Sequence, residues 1–141
     1  MSRLDSTSLA RAGRAYAILI GLTVLAIFLQ SLTAGEFISD GLPHSAKAAW
    51  TDAHGLIAYP IMVFSLAATV VAFRSLHGCG RIAPVTGVLF VASVAQWLLG
   101  HAITTLGMDW VTPFHVMLAF VIYGLAIWLS VGSARLRRVT A

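Results

Sequence analysis

The stretch HGLIAYPIMVFSLAATVVAF, residues 54–73, runs for twenty residues without an acid, a lysine or an arginine, and is bounded by Asp52 and Arg74. A helix rises about 1.5 Å per residue, so about twenty apolar residues cover the roughly 30 Å hydrocarbon core of a bilayer. In lipid a helix satisfies its backbone polar groups internally, which an isolated strand cannot do. The stretch therefore reads as a transmembrane helix.

Working outward, three more runs have the same character, so that spans are predicted over residues 15–35, 53–73, 82–108 and 110–134. The composition agrees: 59% of the residues are hydrophobic, 10% are charged and the mean hydropathy is +0.90, values that exclude an ordinary water-soluble domain. Residues 1–141 form one membrane domain of the all-α class, a four-helix transmembrane bundle. The first span has a basic start and small residues near its end, as a signal peptide does. Its apolar run is long for one, and it is expected to stay in the protein.

Orientation follows from the basic residues. Arg3, Arg11 and Arg14 precede the first span, Arg74 and Arg81 flank the turn after the second, and Arg135, Arg137 and Arg138 follow the fourth. The other two connections hold Glu36, Asp40, Asp52 and Asp109 against Lys47 alone. Both termini are thus expected in the cytoplasm, in a bacterial inner membrane. The net charge of +4 is this asymmetry, with anionic lipid of the bilayer as its partner and no nucleic acid implied.

The chain also repeats itself. WTDAHGLIAYPI (50–61) begins the second span and WVTPFHVMLAFVI (110–122) the fourth, each with a Trp ahead of a His, then Ala four, an aromatic five and Ile seven positions on. Gln30 and Gln96 each stand four residues before a small residue, Ala34 and Gly100, at the ends of the first and third spans. These matches describe two repeated helical hairpins, the unequal spacing between matched residues being taken up by a shorter outer loop in the second half. Parallel repeats are related by an axis along the membrane normal, which sets the second and fourth helices opposite each other and puts the glutamines at the other corners.

His54 and His115 lie equally far from the inner arginines, at a common level near the outer face. Below them on the same helix faces come Ala58, Ile61 and Ser65, and Ala119, Ile122 and Ala126. An imidazole from each of two facing helices, with little bulk beneath it, suits a flat macrocycle held at both axial positions. The expectation is one haem b per chain, its iron ligated by His54 and His115. Tyr59 and Phe120 then pack on the ring edges, while Gln30 and Gln96 hydrogen-bond imidazole N–H groups or propionates.

His101 is a rival ligand at the same level. It lies about 140° around the helix from Gln96 at roughly 100° per residue, and Gly35 takes the matching place in the first hairpin. It either displaces one of the pair or contacts a propionate or an outer-face partner. His44 and His77 are expected in solvated loops, and the lone Cys79 as a reduced thiol in the inner turn. No carboxylate lies mid-membrane, which argues against a proton pump. No phosphate loop, nucleophile elbow or paired-cysteine motif is present, so no catalytic residue is assigned.

The His-bearing second and fourth helices, their outer-face placement and the spacing of the two histidines resemble one four-helix half of haem A synthase. The pattern Gln…Ala-Gly, Asp-x-His-x-x-x-Ala-Tyr, Gln…Leu and His-x-x-x-Ala is also similar to that of a group of small uncharacterised bacterial four-helix membrane proteins. The resemblance covers nearly all of residues 15–134 and implies that His54 and His115 ligate a haem near the outer face. It does not carry the synthase activity. The glutamate that the synthase places three residues before a ligating His is Thr51 before His54 and Thr112 before His115, and the synthase's external cysteine pair is missing.

The sequence thus points to a small membrane cytochrome b for electron transfer, exchanging electrons with a quinone, an external redox protein or a larger respiratory complex. Two other readings stay open: a haem-free accessory or assembly subunit of a larger membrane complex, and a haem-handling enzyme or chaperone.

Overall fold

A computed structural model describes residues 3–139, with side chains from 7 to 134. The side chains of Arg3, Arg135, Arg137 and Arg138, which carry part of the charge asymmetry, lie outside that description. Four helices follow one another: α1 (Arg3–Ile38), α2 (His44–Ser75), α3 (Ile82–Leu106) and α4 (Thr112–Val139), with a 3-10 turn (Asp109–Val111) leading into α4. Each is long and apolar enough to cross a membrane.

The helices pack in chain order around a square. α1 lies against α2, α2 against α3, α3 against α4, and α4 against α1, while among the described residues the diagonal pairs α1/α3 and α2/α4 make no close backbone contact. On α2 the buried residues are Ala58, Ile61, Ser65, Ala68 and Ala72. Their alternating three- and four-residue steps average 3.5 residues, the spacing that keeps one seam of a helix on a bundle axis. α1 continues the pattern through Tyr16, Ile20, Thr23 and Ile27, and α4 through Ile122, Ala126, Leu129 and Ser133.

Alanine, serine and threonine dominate this interior, as expected where lipid gives no hydrophobic drive and helices gain by close approach. The buried hydroxyls of Thr23, Ser93 and Ser133 donate to carbonyls in the preceding turn of their own helices, so they enter the core without an orphaned donor. The outer faces carry Phe28, Leu32, Phe73, Val91, Leu98, Trp128 and Val131. Such a surface suits contact with acyl chains.

Two corrections concern the helix ends nearest the histidines. The helices continue beyond the apolar runs: α1 reaches Ile38 and α2 begins at His44, so His44 is an exposed first-turn residue and not part of a loop. Hydropathy locates the hydrocarbon, whereas helix ends follow local backbone chemistry. Ala46, Lys47, Ala48 and Ala49 are good helix formers, and Pro43 before them is extended with φ −65° and ψ 154°. The connections between α1 and α2 and between α3 and α4, residues 39–43 and 107–111, are consequently equal in length, and the surplus of the first pair is helical.

The third helix ends at Leu106 and not at 108, because Gly107 adopts φ 64°. That left-handed conformation suits glycine. It lets the Met108 N–H return to the Ala102 carbonyl at 3.1 Å, closing the helix.

Candidate functional site: a histidine pair across the bundle

Among the described residues, side chains approach across each diagonal of the square. Near the Arg11 and Arg81 end, the Tyr16 hydroxyl meets Thr86 Oγ1 at 2.8 Å, linking α1 to α3 with both residues fully buried. Near the other end, His54 of α2 and His115 of α4 bring their rings to a centroid separation of 6.3 Å, tilted by 56°. The interior seam positions both: His54 is four residues before buried Ala58, and His115 seven before buried Ile122.

The two imidazoles are held differently. His54 Nδ1 lies 2.9 Å from the backbone carbonyl of Gln30. A carbonyl only accepts, so Nδ1 carries the proton and the neutral ring keeps its lone pair on Nε2. The Gln30 side chain completes a clasp by donating Nε2–H to the His54 carbonyl at 3.2 Å. Thr33 donates to the same Gln30 carbonyl at 2.8 Å and lies 3.3 Å from His54 Nδ1. Phe37 stands edge-on to the ring at 5.4 Å.

His115 is also met by a side chain. Gln96 Nε2 lies 3.1 Å from His115 Nε2, and an amide nitrogen only donates, so the Nε2 lone pair accepts. Gln96 Oε1 is buried without a hydrogen-bond partner, and the Gln96 backbone carbonyl approaches the His115 ring as that of Gln30 does His54. The ring lies against Gly100 so closely that a Cβ there would stand 3.2 Å from His115 Cε1 and 3.7 Å from Nδ1.

Of the other residues predicted for the site, Ala58 is buried and Ala119 half-buried beneath the pair. Tyr59 and Phe120 are not brought in: they are 51% and 72% exposed and face outward, Tyr59 packing with Trp97 at 6.4 Å. One step past a seam position turns a helical side chain about 100° away. His101 is also outside, exposed, stacked on Trp97 at 5.5 Å and within 3.3 Å of Thr105 Oγ1 in its own helix. Thr33, Phe37 and Gly100 were not assigned to the site from the sequence. A signal for two of them was present, since Thr33 follows Gln30 by one turn and Gly100 follows Gln96 by one turn.

Among the described residues, no group of three or more His, Cys, Asp or Glu is assembled to hold a metal ion by itself. Two neutral imidazoles under-coordinate a bare ion but suit a metal whose other ligands arrive with it. Two imidazoles whose nitrogens face one metal at about 2 Å have ring centroids on the order of 6 Å apart; here the centroids are 6.3 Å apart, with His115 Nε2 on the Gln96 amide.

The fold and site define a four-helix membrane-type bundle with a histidine pair crossing one diagonal. No family model, no curated protein and no solved structure matches the chain.

Proposed function

We propose that this chain is a small membrane cytochrome b in which His54 and His115 are the axial ligands of one haem b near the outer face. The observation that carries the reading is the meeting of these two rings across the bundle at 6.3 Å, from helices that otherwise stay apart. The clasp on His54 supports it, since ligating histidines commonly donate their second ring N–H to a carbonyl or carboxylate that fixes the tautomer. Ala58 and Ala119 leave little bulk beneath the pair.

When bound, the haem supplies a one-electron couple. The chain contributes the two ligands, their orientation and an apolar surround that limits water. Electron exchange with a quinone, an external redox protein or a larger respiratory complex is the role proposed for it. With the duplicated hairpin and both termini in the cytoplasm of a bacterial inner membrane, the site lies on the outer side.

The test is to purify the protein from haem-replete cells and record reduced-minus-oxidised spectra. A Soret band stoichiometric with protein is expected, and His54→Ala and His115→Ala should each abolish it. Folded protein without a Soret band sinks the proposal. It would favour the haem-free accessory or assembly subunit, for which the test is co-purification with fixed partners unaffected by changing both histidines.

A further inference from the structure

Near the histidine pair, α3 turns two neighbouring sides to different surroundings. Gln96 and Gly100 lie against His115. Trp97 and His101, the next residues along, are turned about 100° around the helix and form a separate row of rings with Tyr59 of α2. His101 stacks on Trp97 at 5.5 Å with 18° between the planes, and Trp97 meets Tyr59 at 6.4 Å. Tyr59 in turn follows buried Ala58, which lies beneath His54. The row therefore stands on the outside of the bundle at the level of the histidine pair. It is separated from that pair by no more than the width of one helix, about 10 Å.

The row carries one hydrogen-bonding group that the fold does not use. His101 is exposed, and its Nδ1 lies 3.3 Å from Thr105 Oγ1, while Nε2 makes no hydrogen bond among the described residues. A threonine hydroxyl both donates and accepts. When Thr105 donates to Nδ1, Nε2 carries the proton and donates to a carbonyl oxygen; when Nδ1 donates to Thr105, Nε2 accepts from a hydroxyl. One imidazole thus serves both a ketone and a phenol. Residues 53–73 and 82–108 contain no lysine, arginine or acid, so nothing in the row recognises a charged headgroup. Tyr59, 51% exposed, and half-buried Trp97 add aromatic contact.

We infer that Tyr59, Trp97 and His101 form a lipid-facing docking site for a quinone or its quinol, the ring resting on the two aromatics and one ring oxygen bonded to His101 Nε2. For its purpose the site rests on the cytochrome reading above, since it gives the quinone proposed there a place beside the histidine pair. Binding itself needs neither haem nor a redox step.

The test uses the full chain as purified, in phosphatidylcholine nanodiscs, with 15N-labelled tryptophan and histidine, titrated with decyl-benzoquinone. Saturable shifts are expected at Trp97 and His101. Trp110 and Trp128, 67% and 54% exposed, report simple partitioning into lipid and do not saturate with them. His101→Phe keeps a ring without Nε2 and weakens binding about tenfold, the equivalent of one hydrogen bond. Tyr59→Leu, at an exposed position, weakens it about fivefold through lost ring contact. Shifts that rise alike at all the tryptophans without saturating, or an affinity unchanged by His101→Phe, overturn this inference and leave the haem reading standing. A folded chain without haem overturns that reading, and the same titration then decides the site by itself: saturation at Trp97 and His101 upholds it and its absence overturns it.

Discussion

At the scale of single residues, the site depends on contacts that spacing alone does not disclose. Gly35 and Gly100, each in the last turns of a span, look alike as glycines, although the residue that matches Gly100 in the repeat is Ala34. They differ: a Cβ at Gly35 meets nothing within 4 Å, whereas one at Gly100 meets the His115 ring at 3.2 Å. Gly35→Ala should therefore stabilise α1 by up to about 1 kcal/mol through helix propensity. Gly100→Ala should cost about 1–3 kcal/mol as the ring is forced aside and lower haem retention. Chemical unfolding in detergent micelles, with haem content measured alongside, checks both, and equal effects would show that His115 does not pack on Gly100. The histidines themselves were legible because they recur at one depth with one pattern beneath them. Their hydrogen bonds were not, because Gln30 engages His54 through its backbone carbonyl and Gln96 also engages His115 through its side chain.

At the scale of the helices, the seam was legible from period and small residues, and the termini were not. Ala58, Ile61 and Ser65 follow His54 down one face, and all are buried; Tyr59 and Phe120, one step off the histidine faces, turn outward. The seam gives a direct test. Ala68 is fully buried at a place where α2 meets its neighbours, while Leu66, two residues earlier, faces outward. Ala68→Leu should destabilise the bundle by about 1–3 kcal/mol through overpacking, and Leu66→Ala should leave its unfolding transition in micelles nearly unchanged, because lipid or detergent replaces what leucine gave up. A reversed order would mean that the interior lies on the other face of α2.

At the scale of the whole molecule, the charge asymmetry predicts which side the site occupies. Cys79, the single cysteine, is partly exposed in the turn between α2 and α3. A membrane-impermeant maleimide should label it in inverted membrane vesicles and not in right-side-out spheroplasts; the opposite pattern would place the histidine pair on the cytoplasmic side. By itself the sequence determined the number of helices and the seam between them, since hydrocarbon thickness and the period of a helix act along the chain and need no partner. The tertiary structure decided which groups each histidine ring meets, which aromatics turn away, and that Tyr16 and Thr86 bridge one diagonal while His54 and His115 approach across the other. Those outcomes depend on which side chains arrive at one point from separate helices, where a rotation of one position, about 100°, separates a buried contact from the lipid face.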